Sequence, residues 1–154
     1  EISEIIDRVN AFGHSHVLVT GGEPLLQRNT LPLLRALIQN GNQVSIETHG
    51  EAPIQAIPKE VRIIMDIKTP SSQMCRYGFR KNLGSIKTTD EIKFVIMNEA
   101  DYEWAKEVLE KESISDSTVL FSPVMKTEDT PEMSYPGEFT PYSPQVLADQ
   151  IMVA

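Results

Sequence analysis

Cysteine is almost missing from this chain. Among 154 residues there is one, Cys75. One thiol closes no internal disulfide and cannot by itself hold an iron–sulfur cluster, which takes several thiolates. Such cysteine usage suits a reducing cytosol. Long apolar runs are missing too. Nothing approaches the ~20 apolar residues of a membrane-spanning helix, and the start does not read as a signal peptide. Basic charge is in deficit, with 14 Lys and Arg against 22 Asp and Glu and a net charge of −8. That balance argues against a broad nucleic-acid footprint. It says little about a small-molecule pocket, which is free to be locally basic.

What is present reads as one folded domain. A hydrophobic fraction of 40% with 23% charged residues is that of a soluble globular chain long enough for a real core. Ile2, Ile5, Ile6 and Val9 recur at helical spacing before Gly13. A strand is expected over Val17–Thr20, a helix over Thr30–Asn40 capped by Gly41, and strands over Val44–Thr48 and Val61–Ile67. Residues 71–89 read mainly as loop. Strands over Glu91–Met97 and Thr118–Ser122 flank a helix over Tyr102–Lys111, with Trp104, Ala105 and Val108 inward. Lys126 to Pro144 is rich in Pro, Ser, Thr and acid and reads as a loop or lid. Ser143 is placed to cap a last helix over Pro144–Val153.

The strands read as apolar, the third on both faces, and they alternate with helices. That predicts an α/β fold with a parallel sheet covered by helices, in the form of a partial, open (β/α) barrel. Sites in such folds gather at the C-terminal strand ends. The polar residues fall there: Thr20-Gly21-Gly22-Glu23, Glu47-Thr48-His49-Gly50, Asp66-Ile67-Lys68 and Ser122-Pro123-Val124.

The first of these segments is the most specific. An apolar run ends in Thr20, Gly21, Gly22, Glu23 and Pro24, and an amphipathic stretch follows. Adjacent glycines permit positive φ and let a ligand approach the main chain. Pro24 suits the first turn of a helix. The turn offers carbonyl oxygens and a rim carboxylate, a surface better suited to an ammonium group than to a phosphate. An ordinary strand-to-helix turn is the plainer reading of Gly-Gly-Glu alone.

The segments together resemble the 7-carboxy-7-deazaguanine synthase family of radical S-adenosylmethionine enzymes. The likeness is carried by Val19 to Gln27, Ile46 to Gly50, Met65 to Ser72, Glu91 to Ile96 and Phe121 to Val124. It implies that Gly21, Gly22 and Glu23 bind S-adenosylmethionine, with Asp66, Ile67, Lys68, Ser122, Pro123, Val124 and Met125. It implies that Thr20 and Glu47 face the substrate. A reduced 4Fe–4S cluster would cleave S-adenosylmethionine, and the resulting radical would act on 6-carboxy-5,6,7,8-tetrahydropterin in queuosine and deazapurine biosynthesis. Magnesium, an electron donor such as flavodoxin or ferredoxin, a cytoplasmic location and a homodimer also follow from the resemblance. Neither nucleic acid nor membrane is expected as a partner.

The family's cluster cysteines have no counterpart here. Residues 1–154 are therefore expected to be a single radical S-adenosylmethionine core domain truncated at both ends. Its cluster cysteines would lie before Glu1, and by itself it would be inactive. No catalytic proton-transfer residue and no metal ligand are assigned to it. Two other readings stand beside this one: a glycyl-radical activating enzyme, which shares the Gly-Gly-Glu-Pro turn, and a non-catalytic S-adenosylmethionine-binding module. Asp66 and Lys68 share a strand face, and a simple ion pair is the plainer reading of them beside the binding role. Lys93 reads as either a pocket cation or an edge residue, His49 as a turn or supporting residue, His14 and His16 as structural, and Cys75 as incidental.

Overall fold

The computed structural model describes residues 1–112, 114, 117–125 and 143–153. Helix α1 (Ile2–Phe12) ends on Gly13, whose φ of 70° closes it in the left-handed region. Strand β1 (His16–Val19) leads into the Gly21-Gly22 turn and a short 3-10 turn over Pro24–Leu26. Then follow α2 (Thr30–Gln39), β2 (Gln43–Thr48) and β3 (Arg62–Ile67). Three short 3-10 turns occupy the long connection from β3 to β4 (Glu91–Ile96). Helix α3 (Glu99–Lys111), β5 (Thr118–Pro123) and α4 (Pro144–Val153) complete the described chain. The loop or lid expected from Lys126 onward lies, over residues 126–142, outside the described residues.

The five strands form one all-parallel sheet in the order β1-β2-β3-β4-β5. Each new strand is laid beside the last in the same direction. The order never reverses, unlike that of a doubly wound sheet. One strand face packs under the helices. Ile46 of β2, Ile63 and Met65 of β3, and Phe94 of β4 join Leu34 and Leu37 of α2 and Ala105 and Val108 of α3 in one buried cluster. Trp104 of α3 is half-buried, with its ring edge-on to Phe94.

The expectation of apolar strands needs correction. β2 and β4 alternate buried with half-exposed residues, and on β3 the uncovered face carries Arg62 and Asp66. Period-two alternation of this kind marks a sheet with one packed face and one open face. The open face holds Ser45, Glu47, Arg62, Asp66, Glu91 and Lys93. The long apolar residues suggest burial on both faces, but the charges, with Ile64 between Arg62 and Asp66, share one of them.

Buried polar groups fix the connections. Asn82, 2% exposed, donates through Nδ2 to the carbonyls of Gly50 and Ala52, each at 2.8 Å, and so clamps the loop after β2. Asp90 is fully buried and accepts from the backbone N–H groups of Ile63 and Lys87. Asp101, in the first turn of α3, accepts from Ser71 and Met97 N–H. Gly50 has a φ of 78°, and a Cβ there would lie 2.9 Å from Met65 Sδ and 3.0 Å from Phe79 Cβ. Both the backbone conformation and the packing demand glycine. Gly50→Ala is expected to destabilise the fold by about 2 kcal/mol. Denaturant unfolding measures this, and an unchanged midpoint would contradict the clash.

Candidate functional site

The turn after β1 is held from the inside. Glu23 has 4% of its side chain exposed. Its carboxylate accepts from Leu25 N–H at 3.0 Å, from the Thr48 hydroxyl at 2.9 Å and from His49 N–H at 2.9 Å. His49 Nε2 lies 3.1 Å from the same carboxylate. His49 Nδ1 accepts from Glu51 N–H at 3.1 Å, so in the neutral ring Nε2 carries the hydrogen and points it at Glu23. The expected rim carboxylate is therefore turned inward, because the end of β2 offers it a set of donors that solvent cannot better. What the turn leaves facing outward is backbone. Gly21 and Gly22 adopt φ of 105° and 53°, and a Cβ at either position would meet nothing within 4 Å.

The ends of β1, β2 and β3 meet around one polar cavity of about 160 Å³, lined by Thr20, Gly21, Gly22, Glu47, Thr48, His49, Asp66 and Lys68. Asp66 and Lys68 form an ion pair at 2.5 Å, the plainer of the two readings of their spacing. Only one Asp66 oxygen takes part, and Oδ1 is buried with no hydrogen-bond partner. A buried acceptor left open in this way is uncommon and marks a place for a donor. Glu47 accepts a hydrogen bond from Lys93 at 2.8 Å, and its other oxygen lies 3.4 Å from the Thr20 hydroxyl. A larger cavity of about 790 Å³ adjoins the same turn and runs between α1 and α2.

The other assigned residues sit differently. Ile67 is fully buried in the core, so its backbone alone is available to a ligand. Ser122 and Pro123 lie two strands beyond β3, in register with Val95 and Ile96. Val124 N–H donates to Ile96 O at 2.9 Å, and Met125 is exposed. These four share the C-terminal end of the sheet but do not line the cavity beside the glycines. His49 takes the supporting place expected of it, whereas Thr48, to which the sequence assigns no role, holds Glu23 through its hydroxyl. The polar tripeptide ending an otherwise amphipathic strand was the available signal. Among the described residues no three His, Cys, Asp or Glu side chains gather as a metal-binding group. Burial pushes the Cys75 thiol above its ordinary pKa, with Asp101 and Glu51 adding to the effect and a hydrogen bond to Tyr77 opposing it.

No family model matches the chain. It is 41% identical over 115 residues to the 7-carboxy-7-deazaguanine synthase of Koribacter versatilis, covering 73% of this chain and 51% of that protein. The synthase of the same name from Methanospirillum hungatei is 34% identical over 82% of this chain and 53% of its own length. That from Chlorobaculum tepidum is 39% identical over 80% of this chain and 58% of its own. The chain spans about half the length of the curated relatives it matches. The crystal structure of archaeal TYW1 aligns with a TM-score of 0.53 at 17% identity, over 71% of this chain and 46% of that one. That likeness carries the fold.

Glu23→Gln tests the inward carboxylate. A glutamine amide keeps one acceptor oxygen and sets an NH2 group against donors from Thr48 and His49. The substitution is expected to cost about 2 kcal/mol of stability. A variant that unfolds at the parent's denaturant midpoint would show that these bonds contribute nothing.

Proposed function

We propose that this chain, which belongs by sequence with the 7-carboxy-7-deazaguanine synthases, forms the ligand-binding part of a radical S-adenosylmethionine lyase of that kind. The enzyme would convert 6-carboxy-5,6,7,8-tetrahydropterin to 7-carboxy-7-deazaguanine with loss of ammonia. The supporting observation is the convergence of three strand ends on one cavity: Thr20 to Gly22, Glu47 to His49, and Asp66 with Lys68.

The residues present fit S-adenosylmethionine. Open backbone at Gly21 and Gly22 suits the ammonium and carboxylate of a methionyl group. The unpartnered Asp66 Oδ1 suits a hydroxyl or amine donor. Ser122, Pro123, Val124 and Met125 stand at the same sheet end for the far part of an extended cofactor. Thr20 and Glu47 would meet the substrate. When bound, the cofactor supplies the reactive group, and these residues bind it, orient it and exclude water. Glu23 serves through the loop it fixes.

The residues do not fit a 4Fe–4S cluster, because the sequence holds a single cysteine. Cluster and magnesium ligands would come from elsewhere in the enzyme. The proposal includes an electron donor such as flavodoxin or ferredoxin, a homodimer, and a cytoplasmic setting in which the Cys75 thiol stays reduced. No helix among the described residues is long and apolar enough to cross a membrane. The relatives' shared name favours this reading over a glycyl-radical activating enzyme or a non-catalytic module.

Two measurements test the proposal. In the full-length protein, Gly22→Val is expected to weaken S-adenosylmethionine binding roughly tenfold or more, about 1.4 kcal/mol. The β-branched side chain occupies the ligand's space and resists the positive φ. Calorimetric titration reports the affinity, and an undiminished affinity would remove the glycine turn from the site. Separately, residues 1–154 incubated anaerobically with iron and sulfide are expected to stay colourless while the full-length protein turns brown. A stable stoichiometric cluster on residues 1–154, seen by visible absorption, would overturn the division of ligands.

A further inference from the structure

Lys93 is the one charged residue at the centre of β4, on the sheet's open face. Its Nζ donates to Glu47 Oε1 at 2.8 Å, across the intervening strand β3 and a sequence separation of 46 residues. The two side chains are 26% and 23% exposed, so the pair is largely sheltered. In the β3–β4 register the residue beside Lys93 is Asp66, which Lys68 already holds. Of the other titratable groups on this face among the described residues, His16 of β1 stands at the strand start beside Gln43. Arg62 and Glu91 bind each other at 2.6 Å nearer the start of the strands. From the β1 turn the Thr20 hydroxyl donates to Glu47 Oε2 at 3.4 Å, which leaves that oxygen room for a second donor. The β5 positions facing this side are Thr118, Leu120 and Ser122, none of them charged.

We propose that Lys93 is a positioning residue for the ligand site: it takes Oε1 of Glu47 and thereby presents Oε2, beside Thr20, as an acceptor for the N–H groups of a heterocyclic substrate. This rests on the reading of Thr20 and Glu47 as the substrate side. A glutamate has three rotatable bonds and, left alone, spreads over several rotamers whose loss opposes binding. A charge-assisted bond to a lysine anchored in the sheet removes that freedom before the ligand arrives. The hydrogen bond to Glu47 raises the Lys93 pKa above the ordinary 10.5, against the lowering effect of burial and with help from Asp66. For a base whose folded pKa is raised, the stabilisation is complete below the ordinary lysine value and fades as pH climbs through the raised one. Throughout the neutral range Lys93 therefore holds its proton.

The test compares Glu47→Gln, Lys93→Met, Lys93→Arg and the double variant Glu47→Gln with Lys93→Met in the full-length protein. The probe is 6-carboxypterin, the oxidised and air-stable form of the substrate, titrated calorimetrically, with a thermal melt on each variant to confirm folding. Lys93→Met is expected to weaken binding about tenfold, with Lys93→Arg restoring most of the affinity. The double variant should bind no worse than Glu47→Gln alone, the signature of two residues acting as one unit. If Glu47→Gln weakens binding while Lys93→Met binds as the parent does, the positioning role is overturned and the reading of Glu47 stands. If neither single variant changes the affinity, the reading of Glu47 falls and the positioning role falls with it. If Lys93→Met fails to fold, the Lys93→Arg affinity and the amine titration of Lys93 decide. A lysine pKa that does not drop in Glu47→Gln overturns the proposal.

Discussion

The turn after β1 and the loop after β2 both depend on one buried carboxylate. Glu23 gathers donors from Leu25, Thr48 and His49 and so ties the turn after β1 to the loop after β2. A buried ionised group is costly unless its lone pairs are occupied, and here they are. The adjacent glycines gain a defined shape from this arrangement. They sit in conformations that glycine alone holds easily, on a segment anchored at the next residue. A permissive backbone thus becomes a fixed surface, which is what close approach by a ligand requires.

The division of labour between the two faces of the sheet follows from alternation along each strand. Ile46, Met65 and Phe94 bury under the helices, while Glu47, Asp66 and Lys93 stand on the other side. The apolar face supplies stability, and it does so without using the residues that face the cavity. Buried polar clamps such as Asn82 and Asp101 hold the connecting loops in place beneath the site. Substitution on the open face should therefore change binding more readily than folding, except at Glu23, where the two are joined.

Much of the architecture was legible in the chain. Periodicity placed every helix and strand that the structure describes, within a few residues, and the parallel order of the sheet followed from their alternation. The glycine turn was legible because its residue types have few other uses. The inward turn of Glu23 was not, since it depends on Thr48 and His49, 25 and 26 residues away, arriving at the neighbouring strand end. The Lys93 pairing was hidden for the same reason: only register across three strands brings it to Glu47. Asp66 and Lys68, by contrast, are two residues apart, and local spacing alone offered their pair as one of two readings. The polar face of the sheet was missed because isoleucine and methionine between the charges masked the alternation.

The ion pairs on the open face are Glu47 with Lys93, Asp66 with Lys68, and Arg62 with Glu91. Each carboxylate is matched by one cation within a few ångströms. At distances beyond about 8 Å, the screening length near physiological ionic strength, such matched pairs project almost no field. These three pairs therefore add little to the long-range field of a chain that carries −8 overall. Recognition there operates at contact range, through the direction of individual donors and acceptors.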